Sequence, residues 1–375
     1  MKILRVIGII VLAIVLLCVL LVIGAKLWIN PNKLKPRIEA EVRKNTGLVL
    51  KIDGDLAWTF YPVMGMSAPH LTLSLPKATP FVEFNHVVIK TSLAQLFNRQ
   101  VYSGELKIGA TTLDRLRLSN ASVGFKISQG RLTLAPIKAS LYNGALSGSI
   151  EANNFNTMPK WNWNLQARAV QLKPLLIDVN GENSKIQISG LGNINLKATS
   201  IGTNRLQFIQ NLQGQTNVNV EQGKLEGVNL NYLIQTADAL LNRQAVGNEP
   251  TTANETVFDR LTGTGLIQNG LITTKDLTLA AKTFTAQAQG NISLLLDTLQ
   301  FHLQIASTNV LKSQWTIPVA VTGRISQPTV QVDLDSLQKL LVSDGVDKLK
   351  ESAYEKIKTR VSPQAQQLLQ NMLSR

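Results

Sequence analysis

Along most of the chain, apolar and polar positions alternate with a period of two. Leu71-Thr-Leu73-Ser-Leu75, Ile186-Gln-Ile188, Ile194-Asn-Leu196-Lys-Ala198, Val218-Asn-Val220, Phe301-His-Leu303-Gln-Ile305 and Val330-Gln-Val332-Asp-Leu334 all read this way. Successive side chains of a strand point to opposite faces, so each run predicts a strand with one apolar and one polar face. Asn143-Gly144, Gln129-Gly130, Gly190, Gln222-Gly223, Asn269-Gly270 and Gly290 punctuate the runs as hairpin signals, Asn269-Gly270 being the strongest. The expectation is a mainly β body of roughly 14–18 strands, a sheet roughly 65–85 Å across if unbroken. Residues 190–305 repeat Gly, strand, turn, strand loosely, as a β-meander does.

Helical spacing is confined to a few stretches. Leu34, Ile38 and Val42 share a face, and Ser92 to Asn98 predicts a short helix with Leu93, Leu96 and Phe97 inward. Leu230, Leu233, Ile234, Ala237, Leu240 and Leu241 form an amphipathic stripe, followed by a polar loop over 243–256. From Ser336 a last helical segment runs to Arg375, interrupted at Pro363.

The N-terminus follows neither pattern. Val6 to Ala25 is uncharged and almost wholly apolar, about 30 Å long as a helix, which matches the hydrocarbon core of a bilayer. Lys2 and Arg5 precede it, Lys26 follows, and Trp28 stands where an interfacial aromatic belongs. The run is too long for a signal peptide, and Gly24-Ala25-Lys26 is a poor cleavage site. The division expected is therefore 1–28 as a transmembrane anchor, 29–335 as a β body and 336–375 as a C-terminal helical segment. Positive charge after the anchor exceeds that before it. It does not fix the orientation, because long domains translocate largely regardless of charge.

Composition narrows the chemistry. Of 375 residues only 17% are charged, against about 25% in an average soluble domain. The net charge is +14, but no basic cluster is interleaved with aromatics, so no nucleic-acid partner is expected. Cys18 is the sole cysteine, which excludes a disulfide framework or a paired-cysteine zinc site. His70, His86 and His302 are far apart, and no metal ligand set is expected. Gly190-Leu-Gly192 precedes no helical pattern, and Ser147 lies outside a nucleophile elbow. Asp53/Asp55 and Asp333/Asp335 each share one strand face rather than converging in a cleft. No catalytic residue and no cofactor are expected.

Where the apolar face goes decides the function. The helices are too few to cover so many strands, and aromatics are only 5% of the chain. Periodicity leaves two readings open. One is a sandwich or barrel that buries the face internally; the other is a sheet curled into an open trough.

Asn30-Pro31, Lys35-Pro36-Arg37-Ile38, Val42, Thr46-Gly47, Ile52-Asp53-Gly54, Trp58, Pro62 and Gly65 resemble the N-terminal signature of the AsmA family. Val220 to Leu230, Phe258-Asp-Arg-Leu-Thr-Gly-Thr-Gly, Lys275-Asp-Leu277-Thr-Leu279, Ile317 to Gly323 and Gln327-Pro328 follow in the family's order, so the resemblance spans most of residues 1–335. Many members are longer in the middle, and 336–375 lies outside the signature. The resemblance implies an inner-membrane-anchored, single-pass bacterial protein with its body in the periplasm. It implies a sheet forming an open apolar groove that carries phospholipids or assists outer-membrane assembly. On that reading the groove candidates are Leu71, Leu73, Leu75, Ile186, Ile188, Ile194, Leu196, Val218, Val220, Phe301, Leu303 and Ile305. The expected partners are phospholipids, the inner membrane and envelope proteins reached through 336–375. The alternative is a non-catalytic envelope scaffold with a closed β core.

Overall fold

The structure is a computed structural model that describes residues 30–46, 48–59, 64–91, 101–113, 115–154, 157–182, 184–241, 254–307, 316–333 and 336. The apolar run 6–25, the helix expected over 92–98, Gly47, Pro62 and all of 337–375 lie outside the described residues. Among the described residues no helix is long and apolar enough to cross a membrane.

The strands are β1 (Val49–Asp53), β2 (Ala57–Thr59), β3 (Met64–Ser74), β4 (Pro80–Thr91), β5 (Val101–Leu113), β6 (Leu116–Ser128), β7 (Arg131–Leu141), β8 (Gly144–Asn153) and β9 (Lys160–Gln171). They continue as β10 (Gln187–Ile201), β11 (Gln213–Glu226), β12 (Glu255–Gln268), β13 (Leu271–Ala280), β14 (Phe284–Ser293), β15 (Thr298–Ser307), β16 (Thr316–Arg324) and β17 (Gln327–Val332). All belong to one 17-stranded sheet. From β3 to β17 each strand pairs antiparallel with the next in sequence, while β1 and β2 pair end to end along the free edge of β3. Fourteen spacings of about 4.8 Å give a meander about 67 Å long. The polar loop expected over 243–256 is shorter, because Glu255 and Thr256 already pair with Glu226 and Leu225 in β12.

Gln129-Gly130 and Asn269-Gly270 are two-residue hairpins with both residues at positive φ, as expected. At Asn143 the turn is displaced by one residue, centring on Tyr142-Asn143. Gly190, Gln222-Gly223 and Gly290 are not hairpins but lie inside strands. Gly190 and Gln222-Gly223 sit at the β10–β11 bulge, and Gly290 is paired with Phe301.

Among the described residues there are four α-helices: α1 (Lys35–Thr46) precedes the sheet, and α2 (Leu172–Asn180), α3 (Arg205–Gln210) and α4 (Leu230–Leu241) lie in links of the meander. Leu34, just before α1, together with Ile38 and Val42 in it, is buried in one cluster with Leu50, Ile52, Leu71 and Leu73, so α1 lies on the sheet's apolar face at β1 and β3. The helix expected at 230–241 forms as read, with Leu230 and Ile234 buried. Its start is fixed by Asn229, whose Oδ1 accepts from the Tyr232 N–H at 2.9 Å, and by Thr256, whose Oγ1 accepts from the Leu230 N–H at 2.9 Å.

Candidate apolar trough

The registers place apolar residues opposite apolar residues from strand to strand, so the alternation seen in each strand adds up to one continuous face. One row runs Met66, Ile89, Leu106, Val123 and Ile137, then through Gly148 to Leu165 and Leu196. Another runs Val170, Gly192, Val220, Leu261, Leu279, Ala286, Ile305 and Ile317. A third joins Ala288, Leu303, Val319 and Val332. A one-residue slip anywhere would turn a strand's apolar set to the polar side, so these rows fix the register.

This face is not covered evenly. The first cluster fills the trough at β1–β5 and then follows the strand ends that meet α3. It includes Leu73, Val82, Ile89, Leu106, Leu132, Trp163 and Phe208. There the rings of Trp163 and Phe208 meet edge-on with centroids 5.8 Å apart. The second cluster lies at the opposite strand ends, beneath α2 and α4, and includes Leu172, Val220, Ile234, Phe258 and Ile305. In it Gly223 admits the Phe258 ring, which a Cβ at that position would meet at 2.1 Å. Between the clusters runs a half-buried apolar band: Val123, Leu146, Leu165, Ile194, Leu196, Val218 and Leu303.

Helix α2 lies over the band at one side. It contacts β10, β9 and also β6, four strands from β10, so the sheet curls enough for one short helix to reach both walls. Arg117 at the start of β6 donates from Nε to Asp178 Oδ2 at 2.7 Å, and the Tyr142 hydroxyl donates to the same oxygen at 2.6 Å. At the other wall, Lys173 pairs with Glu226 of β11 at 2.7 Å. Burial, with the Asp178 carboxylate beside it, raises the Tyr142 hydroxyl above its usual pKa, so it stays a donor at neutral pH.

The expected groove residues divide accordingly. Ile188, Ile194, Leu196, Val218, Phe301 and Leu303 are half-buried on the apolar face, and Ile186 is half-buried just before β10. Leu71, Leu73, Val220 and Ile305 are packed inside the clusters. Leu75 lies one residue beyond β3 and is 52% exposed. Sequence reading missed Val123, Leu146 and Leu165, which sit in strands with less regular alternation. It also missed α2, although Pro174 in the first turn, Gly181 after the last and the spacing Leu172, Leu175, Leu176, Val179 all signal a helix.

The polar candidates are engaged in structural contacts. Asp53 pairs with Lys51 at 2.9 Å and accepts from His70 at 3.3 Å, and Asp55 lies 3.8 Å from Lys35. Among the described residues no group of His, Cys, Asp and Glu side chains is placed to hold a metal ion.

A sequence model of the AsmA family matches residues 1–108 and 103–277. Strands β14–β17 lie beyond the matched span yet continue the same sheet and the same apolar rows. No curated protein and no solved structure matches the chain.

Proposed function

The chain belongs to the AsmA family, and on that footing we propose that it holds phospholipid acyl chains in its trough and assists lipid transport or outer-membrane assembly. It is anchored in the bacterial inner membrane by residues 6–25, with the β body in the periplasm, and it performs no catalysis. The supporting observation is the half-buried band from Val123 to Leu303, an apolar floor left partly open between two packed clusters. Each CH₂ taken from water onto such a floor contributes about 0.8 kcal/mol, so an acyl chain is retained without a specific polar contact. The excess of basic residues suits phosphate headgroups at the trough's openings. The test is to purify the full chain in detergent and extract it for mass spectrometry. Phospholipid in fixed ratio to protein is expected, and its consistent absence would count against the reading.

A second reading, a closed scaffold for envelope partners, draws on a specific observation. At β3–β5 the face is sealed, with Leu73, Val82, Ile89 and Leu106 at most 2% exposed. Charges placed at Ile188, Leu196 and Leu303 separate the two. A closed core unfolds around them, whereas a lipid trough keeps its fold and loses lipid.

A further inference from the structure

Among the described residues, exposed large apolar side chains are unevenly spread: Leu75, Val179, Leu191 and Val257 stand apart, but most gather in one place. Met158, Ile201, Leu206, Leu266, Leu295 and Leu296 are 40–71% exposed. All six lie on one lip of the trough, where β9, β11, β13 and β15 begin. Met158 stands in the β8–β9 link, Ile201 and Leu206 in the β10–β11 link with α3, Leu266 beside the β12–β13 turn, and Leu295 and Leu296 in the β14–β15 turn. Turns two strands apart are spaced about 10 Å, so this rim extends about 29 Å along the trough.

The rim is a built structure. Backbone hydrogen bonds lace successive turns together: Gly202 N–H to Pro159 O at 3.2 Å, Gly270 N–H to Leu212 O at 3.3 Å, Leu294 N–H to Gly270 O at 3.0 Å and Ile325 N–H to Asp297 O at 3.2 Å. Gly270, at φ +77°, lies so close to α3 that a Cβ would meet Ile209 at 2.5 Å. The apolar tips are thus held in fixed positions. Exposed Lys126, Arg131, Lys160 and Arg324 lie along the same lip, with Arg205 on α3, against the acidic Glu151 and Asp297. Apolar tips among an excess of cations match an anionic bilayer surface.

The first turn before α1 sits on the β1–β2 corner, where Asn32 Oδ1 accepts from the Leu56 N–H at 2.9 Å and Lys35 Nζ donates to Gly54 O. That corner lies against the middle of β3, since Asp53 at the end of β1 pairs with His70 and Ala57 at the start of β2 pairs with Ser67. Four residues lie between Ala25 and Asn30, a reach of at most about 18 Å.

We propose that this lip seats on the anionic surface of the membrane that holds the anchor, so that the trough lies along the bilayer with its length parallel to it. The proposal rests on the anchoring stated above. The test uses the full chain with Cys18→Ser and a single environment-sensitive label at Leu206→Cys, Leu296→Cys or, on the opposite lip, Val257→Cys. Each is reconstituted into phosphatidylglycerol–phosphatidylethanolamine vesicles containing spin-labelled lipid. Blue-shifted, quenched emission is expected at 206 and 296 and not at 257. Leu295→Glu with Leu296→Glu is expected to abolish quenching at 206 while the co-purified phospholipid is unchanged. Water-like emission at both rim positions in a chain that resists carbonate extraction overturns this proposal alone; release by carbonate overturns the anchoring and this proposal with it. Rim labels that are shielded in native envelopes but wet in vesicles assign the lip to a protein partner and likewise overturn it.

Discussion

The sheet over β1–β5 and the sheet over β6–β17 obey the same alternation and share the same apolar rows, yet they differ in what lies on them. Over β1–β5, the preceding Leu34 with Ile38 and Val42 of α1 fills the curl, and Leu73, Val82, Ile89 and Leu106 are essentially dry. Over β6–β17 the helices sit at the strand ends, and the middle positions Val123, Leu165, Leu196, Val218 and Leu303 stay half-buried. Period-two patterning therefore specifies which face is apolar and where register falls, while the covering elements decide whether that face is a core or a floor.

The sharpest way to break this comparison is charge. Leu106→Asp puts an unpaired carboxylate into the sealed region and is expected to cost about 3–5 kcal/mol, seen as loss of the cooperative melt. Leu196→Asp, on the open band, is expected to melt close to the parent while its co-purified phospholipid falls. Equal unfolding by both would erase the distinction.

Truncation gives a smaller version of the same contrast. Ile38→Ala removes a fully buried side chain that α1 lays on the sheet, and about 2–5 kcal/mol should be lost in denaturant titrations. Leu303→Ala is expected to cost only about 1 kcal/mol, because part of that side chain already meets solvent.

The strap across the band should respond more locally. Lys173→Ala combined with Asp178→Asn removes both ion pairs that hold α2 to the two walls. Their side chains are partly exposed, so the global cost is expected to be about 1 kcal/mol or less. Amide exchange over 172–180 should accelerate while that of β9 and β10 does not.

The smallest effect expected is a pH dependence. The Thr264 N–H, then the Thr264 and Thr274 hydroxyls, donate to Asp276 and hold its carboxyl below the ordinary value of 3.8. A depressed folded pKa contributes stability that is complete above the unfolded value and disappears as pH falls through the folded one. The melting difference between the parent and Asp276→Asn should therefore be constant near neutrality and shrink below about pH 4. A difference that grows in acid would reverse the assignment.

Much of this architecture was readable from residues. The Leu34/Ile38/Val42 and Leu230/Ile234 stripes are helices, and Asn269-Gly270 and Gln129-Gly130 turn as their positive-φ preference dictates. Gly223 and Gly290 misled because a glycine inside a strand admits a facing ring, here Phe258 and Phe301, and the linear pattern of such a site looks like that of a turn. Leu71, Leu73, Val220 and Ile305 were expected on the groove floor on the same evidence as Leu196. What places them in packed clusters is tertiary: α1 on β3, and α2 and α4 over the ends of β10–β12. No local spacing encodes that.

The most direct measurement is photo-crosslinking from a reactive residue at Leu196 in living cells, with Leu106 as the sealed control. The account predicts a phospholipid adduct at Leu196 and only intramolecular products at Leu106. A protein adduct at Leu196, or products identical to those at Leu106, would contradict an open acyl-binding floor.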